Sequence, residues 1–521
     1  MKRMTALIAL LMVCSLVLGI APAVAAAEAV PTLTYWCPFE NNAAKSVSNY
    51  AELPVYQELM ERLGVNIVFQ HPPTGMELDQ FKLLVASQTL PDIIEYDWFT
   101  EYPKGPQRAI DDGVIIPLNE YIEGGKTPNL KALLDADPEL NASVKTFAGT
   151  YYVFPSIRDL ALMEQKGSGG MTVRKDVLDA LGLDIPQTLD DWEVALEAMK
   201  EYGYEYPFTA IFKDVNKTDS TLAGAWGIAT DFYQVDGTIH MGQIEPEYKD
   251  YLELLARWFD KGLIDPDILT NNASALDAKM TGDLSAVSYR SPDSGIGVWT
   301  TSLRATNPDA TLVAAPHPKL TEDSVRYIAQ PNYRYQATFS AAISSSCKDV
   351  DLALRVLDYA YSEEGGLLFN FGMEGVSFDY DEDGEPQFTD LIKHNPDGLT
   401  LKEAMILYGR NTQGGPFEKA VGPIISQRSY QEQLDAPYIW DAGIDWSRSL
   451  PRLVYSADES AEYASIMSEI NVLTEEMCVK IMIGDKPLDS FDSYVESIQQ
   501  AGADRVIEIV QTAYDRQLAN Q

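Results

Sequence analysis

The stretch that most constrains this chain is residues 32–96, where short apolar runs alternate with helical patterns. Residues 32–36 read as a strand. Tyr50, Leu53, Tyr56, Leu59, Met60 and Leu63 then recur at helical spacing, with Gly64 placed to cap the helix. Residues 65–69 form a second strand and residues 77–88 a second helix (Phe81, Leu84 and Val85 apolar). After Pro91, residues 92–96 form a third strand. A βαβαβ order implies a parallel sheet with right-handed crossovers. In open α/β sheets, ligands bind outside the carboxyl ends of the strands. There the sequence places Trp36 after the first strand, and Asp97 and Trp98 after the third. Two strands delivering tryptophans to that edge suggest a ligand platform. The equal alternative is that each aromatic finishes a buried strand as core.

Residues 1–27 read as a signal peptide: Lys2 and Arg3, an apolar stretch over 6–20, then small residues at Ala23, Ala25 and Ala27. The apolar stretch is short for a membrane span, so the expected product is secreted and soluble. Roughly 490 residues remain, too many for one core, so two lobes are expected. Without Lys2 and Arg3 there are 37 basic against 78 acidic residues, a net of −41. That balance argues against nucleic acid, polyanionic substrates and anionic membrane surfaces as partners. It is compatible with a neutral or cationic ligand, although an acidic excess more often simply keeps a secreted protein soluble. Of four cysteines, Cys14 leaves with the signal. Cys37, Cys347 and Cys478 form no zinc or C-x-x-C pattern, so buried thiols are the default and at most one disulfide can form.

Further on, 128–147 looks helical and 149–155 reads as a turn and a strand stopped by Pro155. Residues 160–163 are an apolar strand, 167–170 a flexible loop, 174–181 a helix ended by Gly182. Thr188 with Asp191 makes a near capping box for the next helix. Residues 247–261 are an amphipathic helix, 284–289 and 337–344 buried-looking strands, and 349–362 and 363–371 helices. Residues 376–380 and 386–388 bracket a hairpin turn at 381–384. The C-terminal end is helical over 458–483 and 489–518.

These pieces carry a family likeness. LPDIIEYD (90–97), GTYYVFPS (149–156), VRKDVLDALGLDIPQTLDDWEVALEAMK (173–200) and KGLIDPD (261–267) occur in family order. SEEGGLLFNFGMEGVSFDYDEDGEPQFTD (362–390) and IMIGDKPLDSFDSYVESIQQAGADRVIEIVQTAYDR (481–516) complete the set. The chain resembles the extracellular solute-binding proteins of bacterial ABC carbohydrate transporters, closest to the LipO/LplA-like group and more distantly maltose-binding protein. The resemblance implies an α/β, two-lobed periplasmic-binding-protein-like fold (type II) with a hinge between lobes and C-terminal helices. Its implied divisions are 28–157 (lobe 1), 158–336 (lobe 2), 337–395 (lobe 1 again) and 396–521 (mainly lobe 2). Ligand would be trapped by hinge closure. Many relatives carry a small residue before a lipidated cysteine. Here Val13 precedes Cys14 and fits poorly, so the expectation is secretion or cell-envelope retention by other means.

A sugar presents apolar C–H faces ringed by hydroxyls, so its site needs aromatic platforms with carboxylate, amide or guanidinium partners. The candidates are Trp36, Asp97 and Trp98 from the first lobe and Tyr289 and Arg290 after a second-lobe strand. Trp226 in a Gly-rich turn, and Trp440 and Asp441 in the loop-like stretch 436–450 with Trp446, complete them. Trp192 and Trp258, at helical spacing, read as core. Asp379, Asp381, Asp383, Glu385 and Asp390 match the spacing of a calcium loop, with Gly384 and Gln387. Pro386, Asp rather than Glu at 390, and strand-like flanks favour an acidic hairpin instead, and no cofactor is expected. His71, His240, His317 and His394 are scattered, with no H-E-x-x-H, G-x-S-x-G or Walker A motif. The expected function is non-catalytic capture of an oligosaccharide by a monomer that delivers it to ABC permease subunits. The alternatives are a peptide or other organic solute as ligand, or a secreted carbohydrate-active enzyme using a carboxylate pair.

Overall fold

The computed structural model describes residues 30–164, 169–214, 216, 220–328 and 333–519. The signal segment with Cys14, and Gly167 and Ser168 of the expected loop, lie outside the described residues. The strands, in chain order, are β1 (Thr32–Trp36), β2 (Asn66–Gln70), β3 (Ile93–Tyr96), β4 (Phe154–Arg158), β5 (Gly170–Arg174), β6 (Phe232–Val235), β7 (Thr238–Met241) and β8 (Val287–Arg290). They continue with β9 (Leu312–Ala314), β10 (Arg326–Tyr327), β11 (Tyr335–Ile343), β12 (Phe378–Tyr380), β13 (Pro386–Phe388), β14 (Glu418–Lys419) and β15 (Ile444–Asp445).

The first lobe is built on a six-stranded sheet ordered β14-β4-β11-β3-β1-β2. β1 pairs in parallel with β2 and β3, as the alternating pattern requires, and the helices Pro54–Leu63 and Glu77–Ser87 supply the crossovers. Gly64 closes the first of these helices in the left-handed conformation its position demands, at φ 60°. β11 runs antiparallel to both β3 and β4, and β14 runs parallel to β4. The carboxyl ends of β1, β3, β4 and β14 therefore share one edge with the start of β11.

The second lobe has a three-stranded antiparallel sheet, β8-β5-β9. Its core joins β5 and β8 to the helices Leu189–Tyr202 and Pro246–Asp260. Trp192 and Trp258 are buried there, as their spacing predicts. The C-terminal helices Ala457–Met482, Phe491–Gln500 and Ala503–Ala519 bury Met467, Ile470, Met477, Val506 and Val510 in the same core. Thr188 and Asp191 form the complete capping box. The architecture is α/β and two-lobed.

Several local readings are corrected. Residues 160–163 are one helical turn, because the Asp159 carboxylate caps the Leu162 N–H at 2.6 Å, and four apolar residues fit either period. Pro155 sits inside β4 rather than stopping a strand. The β4–β11 pairing is irregular between Gln336 and Ala341, where a residue without an N–H is tolerated. The helical stretch 128–147 breaks at Pro138 into Pro128–Ala136 and Pro138–Ser143. Residues 436–441 belong to the helix Gln431–Asp441, not a loop. Within 396–421, assigned to the second lobe from sequence, Ile406 and Phe417 pack in the first core and β14 extends the first sheet. Cys37, Cys347 and Cys478 form no disulfide with one another; Cys37 and Cys478 are buried and Cys347 half-buried.

Candidate functional site

At the carboxyl edge of the first sheet, Asp97 follows β3 and its carboxylate accepts the backbone N–H groups of Phe99 (3.0 Å) and Thr100 (2.9 Å). This Asx turn reverses the chain at once. Trp98 is thereby folded back under the sheet with no exposed surface. Its Nε1 donates to the Ile94 carbonyl at 3.2 Å, and its ring stacks on Tyr102 (5.9 Å) and meets the edge of Phe81 (5.1 Å). Trp36 is also buried, with Tyr96 edge-on at 5.7 Å. The expected tryptophan platform is core, and Phe99, half-buried, takes the outward place.

Phe99 meets a guanidinium from the C-terminal part of the chain. Arg452 lies 4.4 Å from the Phe99 ring centroid and 4.8 Å from that of Tyr335, and donates to the Tyr335 carbonyl at 3.2 Å. The Tyr335 hydroxyl pairs with that of Tyr152 at 2.8 Å, and the Tyr333 hydroxyl donates to the Leu450 carbonyl at 3.0 Å. Burial pushes the Tyr333 phenol up to about 12, against the opposing charge of Arg452. Beside this stack Arg334 bridges Asp137 (2.7 Å) and Glu418 (2.6 Å). A cavity of about 260 Å³ opens here, lined by Asp137, Tyr333, Arg334, Tyr335, Arg452 and, from the last helix, Gln517. Flat apolar faces alternating with guanidinium, hydroxyl and carboxylate groups suit a polyhydroxylated ligand with apolar faces.

On the second lobe, half-buried Trp226 lies edge-to-face on Tyr251 (6.4 Å). Its neighbour Gly227 accepts from Arg448, whose guanidinium sits 4.1 Å over the Tyr327 ring. Tyr289 is buried, with a hydroxyl that has no hydrogen-bond partner among the described residues. Arg290, at the end of β8, approaches Asp214 only to 3.9 Å, and its Nε lacks a partner among the described residues. Trp440 is fully buried, with Nε1 donating to the Met171 carbonyl at 2.9 Å. It packs on Gly170 so closely that a Cβ there would lie 2.4 Å from the indole. Trp440 is thus a lobe anchor rather than a platform; Asp441 is half-buried at the end of the same helix.

Of the residues expected from sequence, the structure brings Asp97 to the interlobe floor and leaves Trp226 and Arg290 partly accessible. It seals Trp36, Trp98, Tyr289 and Trp440. Sequence reasoning missed Phe99, Tyr333 and Arg452, with Tyr335 buried beneath Arg452 as its support. The one signal was the alternation Tyr333, Arg334, Tyr335 ahead of an apolar strand; nothing local marks Arg452.

The acidic loop is a hairpin, β12 against β13. Within it the Asp381 carboxylate accepts the N–H groups of Asp383 (3.0 Å) and Glu385 (2.9 Å) and the Gln387 amide (3.1 Å), and these bonds hold its pKa below the usual value. Among the described residues no group of three His, Cys, Asp or Glu side chains is placed to hold a metal ion. Nor, among them, is any helix long and apolar enough to cross a membrane.

A profile of the bacterial extracellular solute-binding protein family matches residues 44–367. The fructooligosaccharide ABC transporter substrate-binding protein FusA of Streptococcus pneumoniae is 23% identical over 492 residues, covering 90% of this chain and 87% of FusA. Lipoprotein LipO of Bacillus subtilis is 25% identical over 376 residues, 68% of each chain. The solved structure of FusA in complex with kestose superposes with a TM-score of 0.73 at 21% identity, covering 94% of this chain and all of that one.

Proposed function

Because the chain belongs to the bacterial extracellular solute-binding protein family, we propose that it captures an oligosaccharide between its lobes outside the cell and delivers it to an ABC importer in the membrane. The observation that carries this reading is the Phe99–Arg452–Tyr335 stack, where a first-lobe loop, a segment crossing between lobes and the C-terminal part meet beside a cavity. Hinge closure would add second-lobe groups such as Trp226 and Arg290 to ligand already resting on that floor. FusA, whose name specifies fructooligosaccharides, supports the ligand class. Among the described residues, no histidine lines the cavity beside that stack. The reading needs no cofactor and no second copy of the chain.

The test is titration of the mature protein with an oligosaccharide panel, following tryptophan fluorescence and melting temperature, with each mixture checked for cleavage. A saturable shift with the sugar intact is expected. Phe99→Ala should weaken it by roughly 3–10-fold, the worth of one aromatic face, while changing the ligand-free melting temperature little. Cleaved sugar would overturn the reading in favour of an enzyme; response to peptides alone would overturn the ligand class. EDTA should leave the melting temperature unchanged, since the Asp381 carboxylate is already engaged by its own hairpin.

A further inference from the structure

The last helix, Ala503–Ala519, is rooted in the second lobe, where Val506, Val510 and Tyr514 pack in the core. Its final turn reaches further. Arg516 donates to the Val454 carbonyl at 3.0 Å and pairs with Glu459 at 2.5 Å, which pins this turn to the stretch that follows Arg452. The next residue, Gln517, is 3% exposed and lines the cavity beside the Phe99–Arg452–Tyr335 stack. Other walls of that cavity come from the first lobe, among them Asp137 and Leu140.

Two donors at this cavity are buried without an acceptor. The Gln517 Nε2 and the Arg452 Nε make no hydrogen bond among the described residues, and both residues line the same space of about 260 Å³. Neighbouring polar groups on the wall are already satisfied by the fold. Arg334 holds Asp137 at 2.7 Å, the Ser143 hydroxyl donates to the Leu140 carbonyl at 2.7 Å, and the Arg452 Nη1 donates to the Tyr335 carbonyl at 3.2 Å. A buried amide N–H left without an acceptor pays its full desolvation penalty. A methionine at 517 would fill a similar volume with no donor to satisfy. An amide held in place by its pinned neighbour, facing a cavity with a second orphan donor, is arranged to meet an acceptor that enters from outside the chain.

We propose that Gln517 is a ligand-binding residue whose Nε2, together with the Arg452 Nε, donates to an oxygen of the captured oligosaccharide. The inference rests on the oligosaccharide reading above and adds the C-terminal helix to the site. That helix is rooted in the second core, whereas Phe99 and Leu140 belong to the first. A sugar held by Gln517 while resting on Phe99 therefore ties the two lobes directly and favours their closed arrangement. A neutral hydroxyl or ring oxygen is a sufficient acceptor, so the contact fixes the position of the sugar rather than reading its charge.

The experiment measures calorimetric binding of neutral oligosaccharides, maltotriose, raffinose and galactotriose among them, together with the ligand-free melting temperature, for the wild type, Gln517→Met and Gln517→Glu. Gln517→Met removes the donor and keeps the volume. Affinity should fall about 3–10-fold, the worth of one hydrogen bond. The ligand-free melting temperature should hold or rise by about 1–2 °C, because the orphan donor is gone. Gln517→Glu, which puts an acceptor where the donor stood, should weaken binding at least as much. A glutamine that only supports the fold would give the reverse, a lower melting temperature with unchanged affinity, and that result overturns the inference. So does unchanged affinity at an unchanged melting temperature, which would mean that the two donors serve ordered water only. In either case a loss of binding in Phe99→Ala keeps the oligosaccharide reading standing. No response of the wild type to any oligosaccharide overturns both.

Discussion

Arg410 and Lys419 lie nine residues apart in the first lobe, and the lobe treats their charges in opposite ways. Arg410 is 1% exposed, and both its Nη atoms are engaged, while its Nε has no partner among the described residues. It donates to Glu95 at 2.8 Å, to the Gly414 carbonyl at 2.9 Å, to Gln413 at 3.1 Å and to the Tyr56 hydroxyl, and lies 4.9 Å over the Tyr50 ring. Glu95 in turn accepts from the Tyr35 hydroxyl at 2.8 Å. Burial works against this charge, but Glu95 and the tyrosines outweigh it and hold the guanidinium pKa well above its usual value. Lys419 has no such set. A buried charge whose counter-charge is supplied by the fold is an element of the fold. Lys419 is a charge to which the fold supplies no ion-pair partner among the described residues.

The largest effect expected from this contrast is at the core pair. Arg410→Leu leaves Glu95 buried and uncompensated, and should cost about 3–5 kcal/mol in denaturant unfolding, whereas removing both charges with Glu95→Leu should recover much of the loss. A loss below about 1 kcal/mol would mean that the network is not structural, and the contrast with Lys419 would collapse. Trp98→Ala should cost a similar or slightly smaller amount, about 3–5 kcal/mol, because a fully buried indole leaves a cavity. Its neighbour Phe99→Ala should leave stability nearly unchanged and act on ligand affinity instead. Measured together, these two variants separate the inward from the outward side of one turn.

That turn also shows how far the sequence could be read. The alternation of strands and helices, the capping box at Thr188 and the glycine at 64 are local signals, and the structure follows them. Which side a residue faces just beyond a strand is set by a turn that a side chain decides. The Asp97 carboxylate makes Trp98 core and Phe99 accessible, where strand alternation alone would have allowed either. Trp440 was misread for a related reason. Pro437 and the surrounding polar residues argue against a helix, yet packing of Gln431–Asp441 on β9 and on Gly170 overrides that local preference. The destination of residues 401–421 was not legible because it depends on a two-residue strand, β14, whose partner lies some 260 residues earlier. Arg452 and Lys419 gain their significance only from what the fold brings beside them. The likeness to a family of binding proteins therefore gave the architecture more reliably than the contact residues.

The smallest effect belongs to Lys419 itself and has the opposite sign. Its folded-state pKa is depressed to about 8, below the ordinary lysine value of 10.5, because burial and the Arg158 and Lys402 charges disfavour the ammonium. A group depressed on folding contributes its full stability above the unfolded pKa and loses it as pH falls through the folded one. At pH 7 the ligand-free protein thus carries the whole penalty. Lys419→Met should raise stability there by about 1 kcal/mol, allowing for solvent reaching a half-buried group. The gain should shrink between pH 8 and 10 and vanish above about 10.5. If Lys419→Met destabilises the ligand-free protein at pH 7, the ammonium already has a partner in the fold, and it belongs with Arg410 rather than against it.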